Sequence, residues 1–212
     1  MIKYHLYYFN ARLRAEVSRY LFSLGNTTFE DVRIEMAEYD KFKKEEGEKM
    51  PLGQLPVLEL EDQTMLAQSQ AINRYLANLF GYAGDTPLEK AKMDMLVGGY
   101  DDLFDRHLHA VVVALITKDQ EKLATARKAA EEPLKVFLDR YTAFLKKNGT
   151  GYFVGKKLSW ADLVVAEGLD QINTYLMPEA LSKHPELQEH IKKVMSEPKI
   201  ALYIKERPQT PV

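Results

Sequence analysis

Residues 4–34 read YHLYYFNARLRAEVSRYLFSLGNTTFEDVRI, and the patterns in this stretch predict the architecture of the first part of the chain. Residues 4–9 are rich in aromatic side chains, as is typical of a β-strand. From Arg14 the apolar residues recur with helical spacing, and Gly25 follows where a helix is expected to end. In residues 28–34 apolar and polar side chains alternate, and several of these residue types favour strands. We therefore predict a β-α-β unit, whose parallel strands are joined by a right-handed crossover.

The next segments extend this unit into an α/β domain. Residues 35–49 are too highly charged to be buried, and they predict a loop. Residues 56–60 and 64–67 flank a short polar connection and predict a hairpin. Residues 69–80 have apolar side chains at the spacing of a helix with one buried face. The order βαβ-ββα is that of a thioredoxin-like fold.

A turn-rich connection, GYAGDT at residues 81–86, marks the predicted domain boundary. Pro87 suits the first turn of the helix that follows, because its missing N–H has no intrahelical partner there. We therefore expect a thioredoxin-like domain at residues 1–80, a linker at residues 81–86 and a second domain at residues 87–212.

The second domain is predicted to be entirely helical. Its helices are expected over residues 87–116, 119–147, 159–176, 185–196 and 198–207. Ser159 and Asp162 match a capping box at the start of the third helix. The predicted fold class is therefore α/β plus all-α, a thioredoxin-like domain followed by an all-helical bundle.

The composition excludes several classes of function. The chain has 212 residues, of which 46% are hydrophobic, and this is ample for a packed core. The 29 basic and 31 acidic residues nearly cancel, so nothing indicates a nucleic-acid partner. Cysteine is absent, which rules out a disulfide framework, a cysteine nucleophile and thiolate metal sites. Any sulfur chemistry must use a sulfur that a ligand supplies.

The N-terminus indicates where the protein is expected to act. Residues 1–9, MIKYHLYYF, lack the basic region, the long apolar region and the cleavage site of a signal peptide. No stretch approaches the roughly 18 apolar residues of a membrane span. We therefore expect a cytoplasmic protein without a membrane partner.

Five separated motifs carry a family resemblance. They are YHLYYFNARLRAE at 4–16, GQLPVLE at 53–59, QSQAINRYLA at 68–77, SWAD at 159–162 and RPQT at 207–210. In this order, and over essentially the whole chain, they resemble the motifs of sigma-class cytosolic glutathione transferases. That family includes glutathione-dependent prostaglandin D synthase. The resemblance implies an enzyme that uses glutathione as co-substrate.

The candidate catalytic residue is Tyr8, at the end of the first predicted strand and directly before the helix that bears Arg14. A strand tyrosine is most often a core ring, and Arg14 taken alone is an ordinary surface charge. However, a thiol with a pKa of about 8.5 is only a few per cent thiolate at neutral pH. A protonated phenol can stabilise that thiolate by roughly 1.5–3 kcal/mol. The resemblance assigns this activation to Tyr8, with Arg14 as the supporting cation.

Further glutathione contacts follow the second and third motifs. We predict that the Leu55–Pro56 bond is cis, because a proline at the head of a buried strand lacks a needed donor; the alternative is an ordinary trans turn proline. The resemblance implies that the Leu55 backbone pairs with the cysteinyl unit of glutathione, with Gln54 alongside. Gln68 and Ser69 open a helix in which serine is a common N-cap. A helix N-terminus is also a ready carboxylate site, and the resemblance assigns it to the γ-glutamyl end of glutathione.

Tyr39 and Lys43 lie in the charged stretch, where a solvated surface is the usual interpretation. The resemblance places them at the glycyl carboxylate of glutathione. Tyr39 stands where the sigma-class pattern has a tryptophan, so a phenol replaces the indole donor of the family.

Asp101 and Asp102 form an acidic pair on the first long helix, and plain solvation explains them equally well. The resemblance implies that Asp102 reaches the γ-glutamyl ammonium bound by a partner subunit, which requires a homodimer. No metal is expected. Gly98 stands where metal-activated vertebrate prostaglandin D synthases have an acidic residue, and His107 and His109 point to different faces of one helix.

The electrophile pocket is expected between the domains, lined by Tyr8, Ala11, Leu13 and Phe104. The favoured function is conjugation of glutathione to hydrophobic electrophiles, as in detoxification. Two alternatives stay open: isomerisation of prostaglandin H to prostaglandin D with glutathione, and a non-catalytic crystallin-like or ligand-carrier relative. Retention of Tyr8 and Arg14 favours catalysis, although it does not separate conjugation from isomerisation.

Overall fold

The computed structural model describes residues 3–210. The chain forms two compact units: one comprises the residues up to Tyr82 together with those from Glu197 onward, and the other is Ala83–Ser196. The first contains a mixed sheet with flanking helices, and the described part of the second is helical with connecting turns. The predicted fold class is therefore confirmed. No helix within the described range is long and apolar enough to span a membrane.

A four-stranded sheet forms the centre of the first unit. Its strands are β1 (His5–Phe9), β2 (Glu30–Ile34), β3 (Val57–Glu59) and β4 (Met65–Ala67), in the spatial order β2-β1-β3-β4. β1 runs parallel to β2, whereas β3 is antiparallel to β1 and to β4. β1 is central in the sheet, and its successive side chains Leu6, Tyr7 and Tyr8, which point to alternate faces, are all buried.

Nine helices are present among the described residues. They are α1 (Glu16–Leu24), α2 (Tyr39–Glu45), α3 (Ser69–Phe80), α4 (Pro87–Leu103), α5 (His109–Ile116), α6 (Gln120–Asn148), α7 (Trp160–Gln171), α8 (Pro185–Met195) and α9 (Pro198–Glu206). A π-helical turn over Phe104–Leu108 joins α4 to α5, which matches the single helix predicted over residues 87–116. The predicted capping box of α7 is confirmed, with the Ser159 N–H donating to Asp162 at 2.9 Å.

The last helix differs from the predicted domain boundary, which placed all of residues 87–212 in one helical domain. α9 instead packs with the first unit. The Ser23 hydroxyl donates to the Lys199 carbonyl oxygen at 2.9 Å, and Lys199 Nζ donates to the Leu24 carbonyl oxygen at 2.8 Å. These bonds fix α9 against the C-terminal end of α1. No local sequence pattern predicts a contact between residues so far apart in the sequence.

The expectation of a loop over residues 35–49 is wrong, because α2 lies within it. Tyr39 and Phe42 are half-buried against a core cluster that includes Tyr7 and Met50. In a helix of only seven residues, two apolar positions among charged neighbours give too weak a period to recognise. The contact with the sheet, rather than the local pattern, stabilises this helix.

In the second unit, α4 and α7 approach closely at a glycine. A Cβ atom added to Gly168 of α7 would lie 2.2 Å from the Tyr100 ring of α4. No side chain fits that space unless the ring or the helix moves. The glycine therefore determines how closely these two helices pack.

We expect the Gly168→Ala substitution to lower the free energy of unfolding by about 1–3 kcal/mol, because overpacking displaces Tyr100 or the helices. Gly98→Ala is the matched control, since a Cβ at exposed Gly98 in α4 meets nothing within 4 Å. The free energy of unfolding of the control should rise by up to about 1 kcal/mol, because glycine disfavours the helical conformation. Urea unfolding of both variants measures the difference, and a Gly168→Ala protein as stable as wild type would contradict this packing.

Candidate active site

Tyr8 and the turn that follows β1 form the centre of the candidate site. The Tyr8 side chain is buried, and its hydroxyl oxygen accepts a hydrogen bond from the Arg14 backbone N–H at 3.3 Å. The intervening turn holds Leu13 at a φ of +33°, a conformation that L-residues rarely adopt. The Tyr8 oxygen is the acceptor in this bond, so the phenolic hydrogen remains available to donate to another group.

The electrostatics of the turn keep Tyr8 protonated. Burial raises the pKa of the Tyr8 phenol, while the Arg14 N–H and the positive charges of Arg14 and Arg19 offset part of that rise. A phenol has an ordinary pKa of about 10, so a raised value leaves it neutral at pH 7. Tyr8 therefore presents a hydrogen-bond donor, and the neighbouring cations favour an anion as its acceptor.

A row of aromatic rings leads from Tyr8 to the segment before β3. The Tyr8 and Phe9 ring centroids are 5.5 Å apart, and those of Phe9 and Tyr39 are 5.0 Å apart. The Tyr39 hydroxyl donates to the Gly53 carbonyl oxygen at 3.5 Å. The row brings Tyr39 close to the predicted glutathione-binding segment, and Lys43 is exposed on the same helix, α2.

The second predicted motif lies beside the third. The Leu55–Pro56 bond is cis, which confirms that prediction. Leu55 is half-buried immediately before β3, and Gln54 is exposed. The Gln68 side-chain amide donates to the Gln54 side-chain oxygen at 3.5 Å. Two glutamines from distant parts of the sequence therefore meet at the surface of the first unit.

The N-terminus of α3 departs from one sequence-based expectation. Ser69 was predicted as the N-cap, but the helix begins at Ser69 and its N-cap is Gln68, at φ 73° and ψ 115°. Within the described chain the Gln68 side chain makes no capping hydrogen bond, and Ser69 is buried. The unusual backbone of Gln68 displaces the cap by one residue. The first-turn N–H groups of α3 remain suited to a carboxylate acceptor.

The remaining candidate residues lie in both units. Ala11 is buried and Leu13 half-buried in the turn after β1. Phe104 is buried in the second unit, where its ring lies 6.2 Å from that of Tyr100. Asp102 is exposed and pairs with Arg106 at 3.0 Å.

Asp102 also borders a surface groove of about 520 Å³ on the second unit. The groove lies between α4 and α6, and its lining includes Met95, Leu103 and Phe144. Met95 is 55% exposed and Phe144 39% exposed, so apolar surface surrounds the carboxylate.

Sequence reasoning did not identify the buried charges beneath the turn. Glu16 and Arg19 of α1 are both fully buried, and Arg207 reaches Glu16 from the end of α9 at 2.6 Å. The local sequence gives no signal for them, because α1 has the pattern of an amphipathic helix, in which charged residues are normally solvated. Between residues 3 and 210, no group of three or more His, Asp or Glu side chains is placed to hold a metal ion.

Two family models match the chain. Residues 4–78 match the N-terminal domain of glutathione S-transferase, and residues 105–207 match its C-terminal domain. Glutathione S-transferase 3 of Caenorhabditis elegans is 37% identical over 99% of each chain. S-crystallin SL11 of Nototodarus sloanii is 35% identical, also over 99% of each chain.

Solved structures agree over the full length. Na-GST-3, a monomeric glutathione S-transferase of the hookworm Necator americanus, is 37% identical with a TM-score of 0.87 and covers 100% of both chains. The prostaglandin synthase D of Nilaparvata lugens is 28% identical with a TM-score of 0.85, covering 98% of this chain and 100% of that one. The chain therefore belongs to the glutathione S-transferase family.

Proposed function

We propose that this glutathione transferase conjugates the thiolate of reduced glutathione to hydrophobic electrophiles, with Tyr8 as the residue that activates the thiol. The observation that carries this proposal is the buried Tyr8 hydroxyl, which accepts from the Arg14 N–H and stays protonated. The full-length likeness to glutathione S-transferases supports the same reaction.

The phenol acts by stabilising the charged form of the sulfur. Bound glutathione loses its thiol proton to solvent, and the Tyr8 O–H donates to the resulting thiolate. A hydrogen bond to a charged acceptor contributes roughly 1.5–3 kcal/mol, and a downward shift of two pKa units requires about 2.7 kcal/mol. The thiolate then forms a carbon–sulfur bond with the electrophile, whose leaving group departs with the displaced electron pair.

We infer a binding mode for glutathione from the same surface. The N-terminus of α3, with Gln68 and Ser69, suits the γ-glutamyl carboxylate because first-turn N–H groups attract anions. Leu55 and Gln54 lie along the path of the cysteinyl unit. Lys43 of α2, an exposed cation, suits the glycyl carboxylate at the far end. Tyr39 supports that end through its aromatic contact.

The finer assignments belong to the same proposal. We assign the protein to the sigma class, with a glutathione-binding domain near residues 1–80 and a helical domain after the linker at 81–86. The electrophile would contact Ala11 and Leu13. We propose a cytoplasmic homodimer that requires no metal. The hydrogen bond from the Arg14 N–H to the Tyr8 hydroxyl within one turn is the support for catalysis rather than a carrier role.

A glutathione-dependent isomerase is the second candidate, because a prostaglandin synthase D shares the fold over the full chain. Purified protein assayed with a chlorinated dinitrobenzene and with prostaglandin H separates the possibilities. We expect conjugation of the aromatic electrophile. Turnover of prostaglandin H alone would favour the isomerase, and inactivity towards both substrates would favour a crystallin-like carrier and contradict our proposal.

Tyr8→Phe should lower the turnover number by about tenfold to a hundredfold at neutral pH, since a lost charged hydrogen bond is worth roughly 1.5–3 kcal/mol. The KM for glutathione should change little, because the lost bond favours the thiolate over the thiol. Tyr7→Phe is the matched control, as the Tyr7 hydroxyl donates to Glu59 on the sheet instead. A Tyr8→Phe enzyme with undiminished turnover would refute the assignment of Tyr8.

The proposed homodimer predicts that Asp102 completes the glutathione site of the other subunit. The groove beside Asp102 offers apolar surface for contact between two subunits. In a twofold interface, each subunit would contribute its Asp102 carboxylate to the other subunit's site. Asp102→Asn should weaken glutathione binding by about two- to tenfold while the dimer persists.

Asp105→Asn, three residues further along in the π-helical turn that follows α4, is the control for that experiment. Calorimetry gives the dissociation constant, and analytical ultracentrifugation gives the oligomeric state. An active monomer would exclude the cross-subunit role. So would an Asp102→Asn protein that binds glutathione as well as wild type.

A further inference from the structure

A network of buried charges lies directly beneath the turn that carries the Tyr8–Arg14 hydrogen bond. Glu16 and Arg19 of α1 are fully buried and pair at 2.9 Å. The same Arg19 nitrogen, Nη1, donates to the Ala11 carbonyl oxygen at 2.7 Å. The ion pair therefore holds a backbone atom three residues away from Tyr8.

A second branch of the network holds the residue before Ala11. Arg19 Nε contacts Asp31 of β2 at 3.1 Å, and Arg33 contacts the other oxygen of Asp31 at 2.7 Å. Arg33 also donates to the Asn10 side-chain oxygen at 3.2 Å. Both Asn10 and Ala11, at the start of the turn, are thus linked to Arg19.

Arg207, from the C-terminal segment, completes the network at its buried end. Its Nη1 contacts Glu16 at 2.6 Å and donates to the Tyr20 hydroxyl oxygen at 3.1 Å. The Arg207 side chain is only 13% exposed. Glu16 therefore has one oxygen on Arg19 and the other on Arg207, and a buried carboxylate needs both partners to offset its desolvation.

Stability alone is a weak explanation for this arrangement. Buried ion pairs often contribute no more than well-packed apolar residues of similar volume would. The turn, in contrast, requires external support, because Leu13 has a positive φ and such conformations persist only where surrounding contacts enforce them. The network supplies those contacts at the start of the turn, and the Arg14 N–H lies at its end.

We propose that Arg207 is a positioning residue for the reaction: by holding Glu16, it fixes Arg19 on the Ala11 carbonyl and keeps the Arg14 N–H on the Tyr8 hydroxyl. The C-terminal segment thereby controls how strongly Tyr8 donates to the sulfur. When the N–H is removed, the phenol becomes a weaker acid and a weaker donor. This inference rests on the proposed role of Tyr8.

The test compares Arg207→Ala with Lys205→Ala, which removes an exposed positive charge two residues away. Ultraviolet absorbance of the thiolate follows the titration of bound glutathione. In Arg207→Ala we expect the thiol pKa to rise by about 0.5–1 unit, which leaves roughly 1.5- to threefold less thiolate at neutral pH if the wild-type value is about two units below 8.5. The turnover number should fall by the same factor and recover at high pH, with little change in the KM for glutathione. Lys205→Ala should match wild type.

Two further variants keep the proposal falsifiable. Arg207→Lys retains the charge without the planar guanidinium. The thiol pKa should therefore rise less in Arg207→Lys than in Arg207→Ala. If Arg207→Ala does not fold, Arg207→Gln takes its place, with the same rise in the thiol pKa expected. An Arg207 variant that is folded, even if less stable, and titrates like wild type would overturn the proposal.

Tyr8→Phe, measured in the same titration, distinguishes failure of the proposed function from failure of the positioning role of Arg207. If Tyr8→Phe leaves the thiol pKa unchanged, the proposed function itself fails. If Tyr8→Phe raises the pKa and Arg207→Ala does not, only the positioning role of Arg207 fails.

Discussion

The hydrogen bond from the Arg14 N–H to the Tyr8 hydroxyl is the constraint on which the site depends. It requires β1 to end next to the start of α1, and it requires the chain between them to adopt a strained turn at Leu13. Since β1 is central in the sheet and α1 is buried, neither element can move without disturbing the core. The fold therefore holds the Tyr8 phenol in a fixed position.

The first helix serves the core and the site together. Its apolar residues fill the space beside the sheet, and Glu16 and Arg19 are buried among them. Each charge in this position must be paired, and the pairs extend to β2 and to the segment after α9. The same contacts that offset the cost of burying these charges also hold the backbone of the turn. Packing and chemistry thus depend on one set of interactions.

Much of this architecture follows from local patterns in the sequence. Strand β1, helix α1 and the long helices of the second unit have clear hydrophobic periods, and the proline after Leu55 indicates the cis bond. The features that escaped prediction depend on distant contacts or on single backbone angles. α2 is stabilised by the sheet cluster, and the cap of α3 shifts because Gln68 has a positive φ. Glu16 and Arg207 meet across 191 positions of sequence, which no local pattern encodes.

The role that we propose for this turn is to make Tyr8 a donor that stabilises the glutathione thiolate. Its most direct measurement is the thiol pKa of glutathione bound to the unaltered protein, followed by the ultraviolet absorbance of the thiolate across a pH series. We expect a value roughly two units below the ordinary thiol pKa of about 8.5. A bound thiol that titrates as it does in free solution would contradict it.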